Sequence, residues 1–107
     1  MTQDAAPPLS VYLSARPGAH TAYFKDGRLV VKWYDFGDHA PYESANLLYF
    51  AAPAQGLLEN LLRPGSETLE GLALLQAIAD RFDSYWEVRT FAEANAIAFE
   101  QEVDFWP

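Results

Sequence analysis

The sequence contains no cysteine, and this absence excludes several kinds of chemistry at once. Without thiols the chain has no disulfide, no thiolate nucleophile and no cysteine-ligated zinc or iron–sulfur site. Long hydrophobic runs are also missing, since no window approaches the roughly 18 uncharged apolar residues that a membrane helix needs. The N-terminal residues have neither the basic segment nor the apolar segment of a signal peptide. We therefore expect a cytoplasmic protein with no membrane partner.

Basic residues are scarce as well. Asp and Glu number 15 against seven Lys and Arg, which gives a formal net charge of −8. Because phosphate binding depends on Lys and Arg, nucleic acid is not expected to be a direct ligand. The imbalance is concentrated in residues 59–107, which carry ten acidic and three basic residues, whereas residues 1–58 carry five and four. The acidic half is suited to steering the chain onto the basic surface of another protein.

The sequence contains enough hydrophobic residues to form the core of one folded domain. Half of its 107 residues are hydrophobic, and disorder requires low hydrophobicity together with high net charge. Residues 1–9 are predicted to be a flexible N-terminal lead-in, and residues 10–107 a single domain. The class we expect is α+β, with an antiparallel sheet built on a central hairpin at about residues 20–34. Two or three helices are expected to pack on one face of that sheet.

The hairpin is the strongest local signal. Asp26-Gly27 separates Thr21–Lys25 from Arg28–Tyr34, and an Asp-Gly pair between apolar-rich runs is typical of a type I′ turn. Such a two-residue loop determines the register of the two strands. One face then carries the residues expected in the core, namely Ala22, Phe24, Leu29, Val31 and Trp33. The other face carries a group of basic residues, namely Lys25, Arg28 and Lys32.

The remaining elements follow from periodicity, caps and helix breakers. Strands are predicted at Ser10–Ser14 and Tyr85–Arg89, where apolar and polar residues alternate. Helices are predicted at Gln55–Arg63 and Ser66–Phe82, where leucines recur with the period of an amphipathic helix. Pro53 is expected to end whichever element precedes it.

Two segments have more than one interpretation. Asn46–Ala52 fits a helix or a buried strand, because a short apolar run has no decisive period. Thr90 and Glu93 match a capping box, which predicts a helix through about Glu102. The alternative for residues 96–105 is a strand, in which apolar residues alternate with acidic ones.

Neither histidine stands in a recognisable catalytic or metal-binding arrangement. His39 lies near Asp35, Asp38 and Glu43, but their spacing matches no established metal site. His20 is expected at the base of the hairpin without an identifiable nucleophile or orienting acid, which favours a structural role. We therefore predict no catalytic residue, no metal and no cofactor, and we expect that the protein is not an enzyme.

Aromatic residues accompany the acidic ones in the second half, and Tyr and Trp are favoured anchors at protein interfaces. The residues predicted to contact a partner are Asp80, Asp83, Tyr85, Trp86, Glu87, Glu93, Glu100 and Asp104. The leading hypothesis is a small acidic interaction protein of bacterial or phage type, comparable to immunity proteins, antitoxins and inhibitors. It would bind a basic protein or a second copy of itself. The alternative is a small-ligand-binding module, monomeric or dimeric, whose pocket between sheet and helices is lined by Trp33, Tyr85 and Trp86.

Overall fold

The computed structural model describes residues 10–13, 19–36, 43–63, 65, 69 and 71–106, and at Phe105 and Trp106 it describes the backbone only. Within these residues it contains five strands and three helices, which confirms the predicted α+β class. The strands are β1 (Ser10–Tyr12), β2 (His20–Lys25), β3 (Arg28–Asp35), β4 (Glu43–Phe50) and β5 (Glu100–Trp106). The helices are α1 (Ala52–Leu62), α2 (Leu72–Arg81) and α3 (Tyr85–Ala94). The predicted lead-in and His39 lie outside the described residues.

The strands form one antiparallel sheet in the order β1-β2-β3-β4-β5. The three helices intervene between β4 and β5, and the chain then returns so that β5 pairs with β4. The helices pack on one face of the sheet, because each has a single apolar stripe to bury. Leu58 of α1, Leu75 of α2 and Val88 of α3 share the main core with Val31 and Leu48 of the sheet.

The structure confirms the predicted hairpin. Asp26 and Gly27 have φ angles of 53° and 77°, the left-handed conformations that a type I′ turn requires at both central positions. Phe24 lies opposite Leu29, as the two-residue loop predicts. The residues expected in the core all belong to it or pack against it, namely Ala22, Phe24, Leu29, Val31 and Trp33.

The first ambiguous segment is a strand for most of its length, since β4 extends to Phe50. This strand lies between β3 and β5, and its apolar side chains are buried on both faces of the sheet. A strand of that kind reads as a continuous apolar run without alternation. Pro53 does not end the element as expected, because it lies in the first turn of α1, where no helical hydrogen bond is lost.

The helices are short. The helix predicted at Ser66–Phe82 begins only at Leu72, after Gly71 with its φ of 55°, and it ends at Arg81. The expected N-cap, Ser66, lies outside the described residues. No helix in the described ranges is both long and apolar enough to cross a membrane.

The strand predicted at Tyr85–Arg89 is wrong, because this segment forms the first half of α3. Ser84 Oγ accepts the backbone N–H of Glu87 at 3.2 Å, and the Glu87 carboxylate accepts the backbone N–H of Asp83 at 3.0 Å. Together these bonds resemble a capping box and satisfy N–H groups at the helix start that have no partner within the helix. The cap outweighs the alternating pattern of polar and apolar residues.

The helix predicted to run from Thr90 to about Glu102 is correct only for residues 90–94, which form the second half of α3, and is wrong beyond them. Thr90 does not cap a helix, since it lies within α3, and Ala96 just beyond α3 has a left-handed φ of 56°. The strand alternative for residues 96–105 is correct for residues 100–105, and β5 extends to Trp106. Glu102 lies opposite Leu47 in the ladder with β4. The alternation of acidic and apolar residues therefore indicates a strand. One of its faces lies on the helix side of the sheet, and the other lies on the side without helices.

Candidate interaction surface

The sheet face opposite the helices brings together charges that are distant in the sequence. Because side chains alternate along a strand, this face carries every second residue of each strand. We define the outer sheet face by the members that carry its charge and aromatic character, which are Tyr23, Lys25, Arg28, Lys32, Tyr34, Glu43, Tyr49, Glu100, Glu102 and Asp104. Its basic residues lie on β2 and β3, whereas three of its carboxylates follow one another on β5.

Arg28 connects the basic and acidic sides of this face. Its guanidinium lies 3.2 Å from the Glu100 carboxylate and 4.4 Å from the centre of the Tyr49 ring, so it reaches across β4. Both charged side chains are exposed, and an exposed ion pair of this kind contributes at most about 1 kcal/mol. The contact therefore orients Glu100 more than it stabilises the fold.

Two tyrosines on the same face donate hydrogen bonds to carboxylates. The Tyr49 hydroxyl donates to Glu102 at 2.5 Å, and the Tyr34 hydroxyl donates to Glu43. The bond to Glu102, together with partial burial, raises the pKa of Tyr49 to about 12, because only the neutral phenol can donate. The bond to Glu43 raises the pKa of Tyr34 for the same reason. Both phenols therefore stay neutral at physiological pH and hold their carboxylates in place.

β5 is the most exposed part of the outer sheet face. All residues from Glu100 to Asp104 are exposed, and residues 95–107 contain no Lys or Arg. Among the described residues, the Asp104 carboxylate has no hydrogen bond or ion pair. Closer to the centre of the sheet, Tyr23, Val30, Ala45 and Leu47 form a second, smaller buried cluster on this side. Three of the four exposed carboxylates of this face therefore lie on β5, the fourth being Glu43, and Lys25 is also exposed.

The acidic residues of the helices form a separate group on the other side of the sheet. Glu87 is engaged in the α3 cap, and Glu93 pairs with Arg89 at 3.5 Å. Asp80 and Asp83 are exposed, but Arg81 lies between them, and its guanidinium is 5.2 Å from the centre of the Phe82 ring. The structure thus divides the predicted partner-binding carboxylates into a helix group of mixed charge and a uniformly acidic strand.

The aromatic residues predicted for the interface and for the alternative pocket do come together, but mostly inside the protein. Tyr85 is fully buried, so its side chain is part of the core and not of the surface. Its ring centre lies 6.3 Å from that of Trp33 and 4.9 Å from that of Trp86, and the two indoles are 5.1 Å apart. The three rings therefore contact one another where the pocket was predicted. Trp86 remains 45% exposed and is the member that a partner can reach.

His20 has a structural contact. The backbone N–H of Tyr85 donates to His20 Nδ1 at 3.0 Å, so β2 satisfies the first N–H of α3. Burial lowers the pKa of His20, which keeps the ring neutral and its Nδ1 available as an acceptor. The Tyr85 hydroxyl makes no hydrogen bond of good geometry among the described residues, but the Arg89 guanidinium lies close enough that its charge and a weak hydrogen bond oppose the rise that burial causes in the pKa of Tyr85.

A groove runs along the exposed side of α3. Its volume is about 470 Å³, and it is lined by Arg81, Phe82, Trp86, Glu87, Thr90, Phe91 and Ala94. The Arg81 guanidinium lies 5.5 Å from the centre of the Phe91 ring, so the groove combines a positive charge with an aromatic surface. The groove is the place where the exposed side of Trp86 meets solvent.

One residue of the acidic strand, Glu102, was missing from the predicted partner-binding set. The helix predicted through about Glu102 hides its position, whereas the strand alternative places it between Glu100 and Asp104 at a spacing of two residues. That alternation was the signal that identifies it. Among the described residues, no group of three or more His, Asp or Glu is arranged to hold a metal ion.

The chain has no detectable similarity that would assign its function. No protein-family model matches it, and no curated protein or solved structure does so either. Its function therefore has to be inferred from its own surface.

Proposed function

We propose that this protein is a small non-enzymatic interaction protein that binds a basic protein partner. The observation that carries the proposal is β5, an exposed edge strand with Glu100, Glu102 and Asp104 on one face and no basic residue in residues 95–107. A surface of one charge sign accelerates encounter with a surface of the opposite sign and disfavours partners of like charge.

The contacts of the β5 carboxylates favour a role in partner binding over a role in solubility alone. Glu100 and Glu102 are already oriented by Arg28 and Tyr49, so less side-chain freedom is lost when a partner binds. Asp104 has no partner of its own within the described chain and is available to a cation. The helix group contributes long-range attraction, and Arg81 and Arg89 neutralise part of it, as Arg28 does for Glu100 on β5.

The partner class that fits is a protein whose own activity depends on a basic surface, such as one that contacts nucleic acid. Covering that surface with β5 would block its phosphate contacts. This is the role of an immunity protein, antitoxin or inhibitor, and a cytoplasmic location in a bacterial or phage system belongs to the same proposal.

The test compares binding by two charge-reversed variants that change the same number of charges. One carries Glu102→Lys and Asp104→Lys on β5, and the control carries Asp80→Lys and Asp83→Lys on the helix side. Partners captured at low salt are identified, purified and titrated by calorimetry. We expect a basic partner whose affinity falls by at least about tenfold in the β5 variant and much less in the control. Capture of no basic protein, or equal affinities for wild type and the β5 variant, would contradict the proposal.

A second candidate function is small-ligand binding in the groove beside α3. The observation in its favour is the half-exposed Trp86 beside Phe91 and the Arg81 guanidinium, a combination that suits an aromatic anion. A thermal-shift screen of aromatic carboxylates tests it, since a ligand bound only by the folded state raises the Tm. Trp86→Ala should abolish any shift, and a shift that persists in this variant places the ligand elsewhere.

A further inference from the structure

β5 is an edge strand whose outer side is not paired by any other described strand. It is seven residues long and hydrogen-bonds to β4 alone, whereas the opposite edge of the sheet is the three-residue β1. In an antiparallel ladder, alternate residues of an edge strand point their N–H and C=O groups away from the neighbour. β5 therefore presents a row of backbone donors and acceptors long enough to pair with another strand.

The side chains of β5 determine which strand can pair there. Glu100, Glu102 and Asp104 recur at every second position, which separates them by roughly 7 Å along the strand. An added strand would place its own Cβ atoms about 5 Å from the Cβ atoms of these three residues, on the same face. Lys or Arg at every second position of the added strand would meet each carboxylate in turn.

The intervening positions set a second requirement. Gln101 and Val103 point to the helix side of the sheet, where both are exposed and Val103 is 37% accessible. The added strand would place its other residues beside these two side chains. Uncharged residues with high strand propensity, such as Thr or Val, fit those positions.

A second copy of this chain does not meet these requirements. If two β5 strands paired antiparallel, both rows of carboxylates would lie on the same face of the joined sheet. Three carboxylates would then stand beside three others, and like charges opposite one another destabilise a strand pair. The edge therefore disfavours antiparallel pairing of two β5 strands and selects a basic strand.

We propose that β5 binds an extended segment of the partner as an additional strand, with Lys or Arg at alternate positions beside Glu100, Glu102 and Asp104. This inference rests on the proposed function and specifies how the basic partner is held. Main-chain hydrogen bonds hold the segment, and the carboxylates select its sequence pattern.

The probe is a fluorescein-labelled peptide of five Lys-Thr repeats with blocked ends. Its matched control contains five lysines followed by five threonines, so the two peptides have the same composition and charge but only one has the alternating pattern. Binding is measured by fluorescence anisotropy at low and moderate salt, and hydrogen exchange of the protein is followed by mass spectrometry. Circular dichroism verifies that each protein variant folds.

We expect the alternating peptide to bind at least about tenfold more tightly than the grouped peptide. The Glu102→Lys/Asp104→Lys variant should lose that preference, whereas Asp80→Lys/Asp83→Lys should keep it. Exchange should slow at backbone amides of residues 100–106 only when the alternating peptide is present.

The contrary results separate the two proposals. If both peptides bind equally well and β5 exchange is unchanged, strand addition is wrong while binding of a basic partner stands. If the Asp80→Lys/Asp83→Lys variant alone loses binding, the docking site lies on the helix side and strand addition is again wrong. If neither peptide binds even at low salt and no basic partner is captured, both proposals are wrong.

Discussion

The contact between His20 and the start of α3 makes a quantitative prediction about stability. His20 is only 6% exposed and Tyr85 is fully buried, so the Tyr85 N–H has no access to water in the fold. Replacing His20 with Leu removes the acceptor and leaves that N–H unpaired. An unsatisfied buried donor costs about 1–3 kcal/mol in the free energy of unfolding. For a domain of this size we expect a fall in Tm of roughly 4–8 °C per kcal/mol.

His20→Asn is the matched control, because the Asn side-chain oxygen can occupy the position of Nδ1 and accept the same N–H. We expect this variant to keep most of the stability that His20→Leu loses. The measurement is urea unfolding followed by circular dichroism at neutral pH. Equal midpoints for wild type and His20→Leu would show that the hydrogen bond does not contribute, and the reasoning would fail.

The same contact predicts a dependence on pH, with a definite sign. Burial lowers the pKa of His20 in the folded protein, whereas the unfolded chain has the ordinary value of about 6.5. The unfolded state therefore binds more protons as the pH falls below that value, and the free energy of unfolding decreases towards the folded pKa. The slope of this decrease cannot exceed about 1.4 kcal/mol per pH unit for one group.

Protonation would also place a proton on Nδ1 and a positive charge beside the positive end of the α3 dipole. His20→Asn lacks the titrating group, so its stability should fall less than that of wild type between about pH 7 and pH 5. Both proteins are compared in a His39→Gln background, which removes the other histidine. If wild type and His20→Asn lose stability in parallel over this range, His20 is not the group responsible.

Substitutions at three further residues test other local features of the fold by urea unfolding. Gly27→Ala should cost about 1–2 kcal/mol, because Gly27 has a φ of 77°, and a smaller cost would mean that the turn relaxes. Tyr85→Phe removes a buried hydroxyl that has no well-aligned hydrogen bond among the described residues, so stability should change by less than about 1 kcal/mol, and a clear loss would show that the Arg89 guanidinium binds that hydroxyl. Ser84→Ala should cost about 1 kcal/mol through loss of the α3 cap, whereas Ser84→Asp should retain it, and equal losses in both variants would argue against capping.

Local chemistry explains which elements were predictable. The hairpin depends on two adjacent residues, Asp26 and Gly27, whose backbone preference acts without help from the rest of the chain. The segment from Tyr85 carries two competing local signals, an alternation that predicts a strand and a helix cap formed by Ser84 and Glu87. The cap at Ser84 wins, and the capping-box pattern at Thr90 and Glu93 therefore lies inside the helix and not at its start.

The end of the chain shows the limit of local signals. Residues 100–106 alternate like a strand, but whether they form one depends on a neighbour with an open edge. β4 supplies that edge, and it was itself ambiguous between helix and strand. Only the assembled sheet decides both assignments, because backbone hydrogen bonds between strands satisfy groups that neither segment can satisfy alone.

The sequence by itself determined the composition that excludes cysteine chemistry, the acidic second half, the α+β class and the central hairpin. Each of these depends on residue type or on contacts between close neighbours in the chain. The tertiary structure decided where the charges lie. By returning β5 to the edge beside β4, it placed Glu100, Glu102 and Asp104 on the same face as Arg28 and Lys32 and away from Asp80 and Asp83. Strand pairing between distant segments controls that placement, and no local pattern encodes it.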